Sequence, residues 1–529
     1  MPPTSLDDSR ALVALHENGM DPARRRALGA HYTPAPLARR IVQLAFDELG
    51  RMPRMVLDPS CGGGAVLLAA ADELVRRGLD PADALTRIAG QDIDADSLEV
   101  AREALRRWAD ENGAMGAGGA QLSVADALTG RPLPAEVDVV VGNPPFSSPL
   151  DSTHGAKPGA GRPGAYTDSS ALHLLAAVEG VGSGAVVCLL QPQSVLGARD
   201  AAPVRESLAR TTELCALWAT DEQPFDAAVE VCAPVLRRVE EGPHRPTGAT
   251  KVSLLWRDTP ARPIAIDSAG SWSPLLAAAL GVPPAAHRDR SSMVSLGERA
   301  HCTAGFRDEF YALAAAARDL GPDNTDPAGD ARLVTSGMID PGELRWGQRP
   351  RRLAGNSVLR PVVALDDLEA ESTRVAQWSR RRLVPKLLVA SQTRVIEAVC
   401  DTEGDCIPVT PVVSVEPLDD DTPLALLAAV LSAPSSSARL ALEVAGTGRS
   451  SAALRISASA LESIAVPTDP TGVRDAVSAW QVLCAQRASP GGRSWEAVGR
   501  RLDRALGFED PDVVQWWASR LPGRARVRT

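Results

Sequence analysis

No stretch of this chain reaches the roughly 18 unbroken apolar residues that a membrane-crossing helix requires, so no membrane partner is expected. The eight cysteines offer no framework either: they are scattered, only Cys400 and Cys406 lie near one another, and no zinc-ligand spacing appears. A disulfide scaffold or a metal site is therefore not expected, and the thiols read as small apolar side chains. Residues Met1 to Arg10 are polar and acidic, without a basic segment leading into an apolar run, so a cytoplasmic location is expected. An excess of positive charge is missing too, with a formal net charge of −10. That total weighs mildly against nucleic acid as a partner, although a local cationic face is compatible with acidic helices elsewhere.

What is present is the composition of a globular protein, 44% hydrophobic and 23% charged over 529 residues, which implies two or three domains. From about Thr33 to Val239, helical apolar patterns alternate with short β-rich runs. That rhythm predicts an α/β fold with a mostly parallel, doubly wound sheet. Strands are expected near Val56-Leu57, at Ile88 to Asp92, Leu122 to Ala125, Val137 to Val141 and Ala185 to Gln191, and around Leu214 to Thr220 and Val229 to Val239. Helices are expected at Ala65 to Arg76, Asp96 to Trp108 and Ser169 to Glu179, with Ser147 to Gly164 a polar Gly- and Pro-rich loop. The later sequence mixes short β-like runs with turns and predicts a mixed α/β domain with a helical C-terminal end, including helices Leu424 to Ser432 and Thr471 to Arg487.

The most informative segment is Val139-Val140-Val141-Gly142-Asn143-Pro144-Pro145-Phe146, an apolar strand that ends abruptly. Two prolines stiffen the turn and donate no backbone hydrogen bonds, leaving its carbonyls to accept. Asn143 adds a side-chain carbonyl in the same small space, and an exocyclic amine donating to both would be oriented for in-line attack on a methyl donor. Phe146 would stack on the ring carrying that amine; an ordinary turn after a strand is the alternative. Upstream, Leu57-Asp58-Pro59-Ser60-Cys61-Gly62-Gly63-Gly64 puts a carboxylate at a strand end and glycines before a helix, which permits a ligand to approach the backbone. No Gly-Lys-Ser/Thr follows, which argues against a nucleoside triphosphate. Asp92, at the end of the next strand, suits the hydroxyls of a ribose or a helix N-cap. Asp126, ending the third, suits an adenine amino group or a turn.

Taken in order, these segments resemble the gamma-class N6-adenine DNA methyltransferases of TaqI-like type. The resemblance implies a Rossmann-like S-adenosylmethionine-dependent methyltransferase domain over residues 1–245, a connecting region over 246–290, a mixed α/β target-recognition domain over 291–470 and a helical region over 471–529. Gly29-Ala30-His31-Tyr32-Thr33-Pro34 is similar to the element that touches the methionine part of the cofactor, and Phe225-Asp226-Ala227-Ala228-Val229 to the one whose aromatic covers the other face of a flipped adenine. The implied cofactor set is Tyr32, Thr33, Pro34, Asp58, Pro59, Cys61, Gly62, Gly64, Asp92, Ile93, Asp126, Ala127 and Asn143; the catalytic set is Asn143, Pro144, Pro145 and Phe146, with Phe225. Ser295 to Glu298, Thr303 to Phe306, Gly446 to Gly448 and Arg455 to Ser457 look like elements of a target-recognition half. Two departures are Ala127, where many relatives carry a larger side chain, and Asp92, where Glu is more usual; weaker cofactor packing by about 1 kcal/mol is expected.

The implied activity is transfer of a methyl group from S-adenosylmethionine to adenine in double-stranded DNA, as the modification component of a restriction-modification or defence system whose other protein is separately encoded. No nuclease constellation is visible. Methylation of RNA or of protein glutamine, and a catalytically silent DNA-binding protein, are the competing readings. Backbone contact falls to Arg349, Arg351, Arg352, Arg380, Arg381, Arg382 and Lys386, in a stretch that also holds Arg345, Arg360, Arg374, Trp346 and Trp378. The alternative is a surface on which these arginines pair with Asp366, Asp367, Glu369 and Glu371.

Overall fold

The computed structural model describes residues 8–19, 33–116, 118–129, 133–146, 167–222, 229–240, 250–267, 269–284, 292–320, 329–448, 453–486 and 494–521. Tyr32, Phe225, the 147–164 loop and the basic tail from Gly523 lie outside them. The chain divides into two compact units, Met1–Ala279 and Leu280–Thr529.

The first unit is built on a ten-stranded sheet. Its strands in chain order are β1 (Met55–Asp58), β2 (Ile88–Asp92), β3 (Gln121–Val124), β4 (Val137–Gly142), β5 (Val186–Leu189), β6 (Gln191–Pro192), β7 (Thr212–Ala219), β8 (Val231–Arg238), β9 (Thr250–Trp256) and β10 (Thr259–Ile266). In space they run β10-β9-β7-β8-β5-β4-β1-β2-β3, with β6 beside β8. β1 to β5 are mutually parallel where they pair, and β8 and β10 are the reversed strands. The expected mostly parallel sheet is thus present. β1, β4 and β5 are buried along their whole length because helices cover both faces, which is why their sequences are nearly continuous apolar runs.

Helices α1 (Asp8–Gly19), α2 (Ala35–Leu49), α3 (Ala65–Arg76), α4 (Pro81–Thr86), α5 (Ala95–Glu111), α6 (Ser169–Gly180), α7 (Ala202–Thr211) and α8 (Ser273–Ala279) complete the unit. α2 shows how an amphipathic stripe docks a helix: Leu37, Ile41, Val42, Ala45, Phe46 and Leu49 are buried at helical spacing, and the helix ends on Gly50 in the left-handed region. The chain leaves β1 for β2 and β3 on one side and returns to β4 on the other. The edge where β1 and β4 end is therefore a topological switch point, the place where open α/β sheets bind ligands.

One boundary differs from expectation. Residues 246–290 are not simply a connector: β9 pairs with β7, β10 with β9, and α8 packs on both. Val252 and Leu254 of β9 turn inward between more exposed neighbours, the alternation of a half-buried strand. The Pro- and Gly-rich run before Thr250 drew the boundary too early.

The second unit holds an antiparallel sheet of Ala300–Ala304, Val412–Pro417, Lys386–Ala390 and Glu397–Asp401, and a smaller mixed sheet of Arg318–Asp319, Pro361–Ala364, Asp330–Val334 and Cys406–Pro408. Helices Leu424–Ser432, Pro434–Val444, Pro470–Gln486, Trp495–Ala505 and Pro511–Arg520 follow, so the helical part begins well before residue 471. The first is apolar and forms core, and the second buries small residues, Ser435 to Ala438, with Leu440 and Ala441. Among the described residues no single helix is long and apolar enough to cross a membrane.

Candidate active site

The carboxyl ends of β2, β1 and β4 bring Asp92, Asp58 and Asn143 to one edge. Asp58 ends β1 fully buried, accepting the backbone N–H of Ser60 at 3.0 Å. Burial, with Asp92 nearby, pushes its carboxyl up to about 8. The chain then turns into α3 through Gly62 and Gly64, whose φ values of +50° and +95° are open to glycine at little cost. A side chain at Gly64 would also press on Ala101 of α5, 3.2 Å from its Cβ.

Asp92 holds this turn in place. One carboxylate oxygen accepts the Gly62 N–H at 2.8 Å and the other the Asp94 N–H at 2.9 Å. Each oxygen keeps a second lone pair for a ligand hydroxyl. Burial raises the Asp92 pKa despite these bonds. Ile93, next in sequence, is 61% exposed, an apolar side chain placed where a ring could cover it. Cys61 is buried with its thiol pKa raised by burial and by Asp58 and Asp92, which leaves it an inert packing residue.

Asn143 follows β4 directly, and its amide nitrogen donates to Thr33 Oγ1 at 3.0 Å across 110 residues of sequence. This bond joins the Thr-Pro segment before α2 to the Asn-Pro-Pro-Phe turn. Gly142 explains how the turn lies so close to Asp58: a Cβ there would sit 2.5 Å from Asp58 Oδ1. Pro144 is buried, and Phe146 is partly buried against the first unit's core.

The Pro145 carbonyl is already engaged, accepting from Ser169 Oγ at 2.5 Å. Ser169 opens α6, which Asp168 caps by accepting the Ser170 N–H at 2.9 Å. His173, one turn further, donates from Nδ1 to Ser169 O at 2.9 Å and is held neutral by burial, with Asp126, Asp168 and Asp92 acting on it electrostatically. Asp126 itself is exposed, accepting the Leu128 N–H at 2.9 Å in the short turn that contains Ala127. The turn reading and a ligand role coexist there, since one carboxylate oxygen has no protein donor in that bond.

Ser169, Asp168 and Gly142 were not singled out from the sequence. Gly142 had a usable signal, a glycine interrupting an otherwise apolar strand just before Asn143. Ser169 had none, because its acceptor is a main-chain oxygen.

The second unit's candidate cations separate sharply. Lys386 is fully buried, its ammonium 2.5 Å from Asp401 Oδ2, and it cannot reach a phosphate. The charge serves the core: Lys386 and Asp401 face each other in the antiparallel ladder, and Asp401 also accepts from the N–H groups of Gly404 and Cys406. Arg382 is 11% exposed, paired with Glu416 and stacked on Trp378, so it too is committed internally. Arg380 pairs with Glu369, and Arg351 donates to Gly337 O. Arg349, Arg352 and Arg381 are exposed. Arg332 and Arg360 lie over Trp346 at 5.1 and 5.2 Å, and Arg345 pairs with Asp340 and Glu343.

The strand order with its reversed β8, the glycine turn held by an acidic residue one βα unit away, and the Asn-Pro-Pro-Phe turn after β4 define a Rossmann-like α/β domain with its candidate site at the switch point. More narrowly, residues 20–220 match the family model described as N-6 DNA Methylase. The structure is similar to the type IIL restriction-modification enzyme MmeI in complex with DNA, with a TM-score of 0.61 at 13% identity, covering 96% of this chain and 80% of that one. Lower similarity is found to the DrdV–DNA complex (TM-score 0.49, 12% identity, 90% of this chain and 59% of that one) and to the type IIG restriction endonuclease BpuSI (0.43, 12%, 97% and 68%). At such identities the MmeI likeness speaks of fold alone.

Proposed function

We propose that the protein is a site-specific, gamma-class DNA adenine N6-methyltransferase that draws its methyl group from S-adenosylmethionine and serves a restriction-modification or defence system. The observation that carries this is the contact between two motifs: the Asn143 turn lies directly against the Asp58 glycine loop, with no room for even a Cβ at Gly142. The match to N-6 DNA Methylase supports the substrate, and the likeness to a restriction-modification enzyme supports the setting.

The residues present suit the cofactor. Asp58 offers a buried carboxyl to a cationic methionine moiety, Asp92 a carboxylate to the ribose, and Ile93, Asp126 and Ala127 the surroundings of the adenine. When bound, S-adenosylmethionine supplies an electrophilic methyl on a sulfonium centre and leaves as S-adenosylhomocysteine. The chain's own work is positioning. Asn143 Oδ1 and the Pro144 carbonyl accept from the two N–H groups of the target amine, which directs its lone pair at the methyl carbon. An amide has no useful basicity, so the proton leaves to solvent after transfer. Adenine within a duplex is stacked and paired, and extruding it costs a few kcal/mol that Phe146 and Phe225 offset by stacking.

Arg349, Arg352, Arg380 and Arg381 are exposed; Arg380 pairs with Glu369, which leaves the other three the best placed to hold phosphate. Arg352 sits with Ser357 on the outer face of the hairpin Arg351–Leu353 and Asn356–Val358, while Leu353 and Val358 anchor its inner face. A two-stranded ribbon of this kind fits the major groove.

Incubation with methyl-tritiated S-adenosylmethionine and, separately, duplex DNA, ribosomal RNA and protein tests the reading. Label in DNA, recovered as N6-methyladenine, is expected. Label confined to RNA or protein would reject it.

A further inference from the structure

The side-chain amide of asparagine has two ends of similar shape and opposite chemistry, and rotation about its last torsion is broad and roughly two-fold. A target amine donates, so only the carbonyl end helps it; the NH2 end would set donor against donor. Something beyond the Asn-Pro-Pro-Phe turn must hold the amide with its carbonyl end toward the substrate. In this structure the amide nitrogen of Asn143 donates to Thr33 Oγ1 at 3.0 Å, which fixes the nitrogen end toward Thr33 and turns the carbonyl away from it.

We infer that Thr33 is a positioning residue for methyl transfer, its hydroxyl holding the Asn143 amide in the orientation whose carbonyl accepts the substrate amine. The inference rests on the function proposed above and adds a task to Thr33 beyond the cofactor contact that the family resemblance implies.

The surroundings make the hydroxyl a firm reference point. Thr33 is only 6% exposed and lies two residues before α2. The Pro34 carbonyl accepts from Leu37 N–H and Ala38 N–H at 2.9 and 3.0 Å, which locks the segment to the helix start. α2 in turn packs on β4 and β5, so Thr33 is held relative to the strand that delivers Asn143. The far end of the turn is fixed from a different helix, by Ser169 Oγ on the Pro145 carbonyl at 2.5 Å. The acceptor turn is thus held at both ends by hydroxyls that lie outside it, and of the two only Thr33 acts on the amide.

Thr33→Val keeps the shape of the side chain and removes the hydroxyl, and Thr33→Ser restores it. Both are compared with the wild-type protein by single-turnover transfer to duplex DNA at saturating S-adenosylmethionine, by calorimetric cofactor affinity and by thermal melting. Thr33→Val is expected to slow transfer at saturating S-adenosylmethionine roughly 10- to 100-fold, over and above any loss of cofactor affinity, with the melting temperature unchanged, and Thr33→Ser to recover most of the rate. Thr33→Ala, with the same expectation, stands in should the valine variant fail to fold. Transfer at the wild-type rate by Thr33→Val, or a deficit that lies wholly in cofactor affinity and vanishes at saturation, would overturn the inference while leaving the proposed function standing. Failure of the wild-type protein to methylate any DNA would remove both.

Discussion

The two units treat their charged and polar residues differently. In the first, side chains far apart in sequence converge: Asp58, Asp92, Asn143 and Thr33 meet at one sheet edge, each bonded to a neighbouring motif or packed against it. In the second, residues chosen only for their positive charge disperse, with Lys386 and Arg382 turned inward and Arg349, Arg352 and Arg381 outward. A motif constrains backbone shape as well as chemistry, and shape is what a fold preserves. A run of arginines constrains neither, because each finds its own partner.

The comparison breaks first at Asn143. Asn143→Ala is expected to cut methyl transfer by roughly 10²- to 10³-fold, the loss typical of removing one preorganised hydrogen-bonding group, with S-adenosylmethionine still bound. Single-turnover assays at saturating cofactor check it. In the second unit, Lys386→Ala should leave Asp401 as an uncompensated buried charge and cost about 3 kcal/mol of stability. Urea unfolding measures this; loss of DNA affinity without loss of stability would restore Lys386 to the DNA surface.

How much was legible follows the same line. Helix α3 was bounded correctly at Ala65 and Arg76 because Gly64, at φ +95°, marks its start and an apolar stripe marks its course. Helix Leu424–Ser432 was equally clear between two prolines' turns. β9 and β10 were missed because the Pro- and Gly-rich run before them reads as a boundary, while their pairing with β7 is a long-range fact. Lys386 opens an apolar strand, and its partner Asp401 emerges only once the antiparallel register is known. The Ser169 bond to Pro145 O was invisible for the same reason: one partner is backbone, which sequence does not label.

A smaller effect separates Asp58 from an ordinary carboxylate. With its pKa pushed up to about 8 by burial, it is mostly protonated at neutral pH, and a cationic ligand beside it favours the ionised form. Cofactor binding should therefore release a proton, and affinity should rise with pH between about 6 and 8 and then level off. Calorimetry in buffers of different ionisation heat would detect the proton, and Asp58→Asn should flatten the trend. The smallest expected change is at Arg352. Arg352→Ala should weaken DNA binding by about 1 kcal/mol and lower the slope of log affinity against log salt by about 1, whereas a salt dependence equal to the wild type would mark the hairpin as bystander surface.

The central claim is that the Asn143 turn and the Asp58 loop form one pocket in which the amine of an everted adenine receives a methyl group. Single-molecule sequencing of DNA from a host expressing the protein tests it most directly. The account predicts N6-methyladenine at one fixed sequence context with the wild-type chain and far less with Asn143→Ala. Equal modification by both, or an unmodified genome alongside an active wild-type protein that labels only RNA or protein, would contradict it.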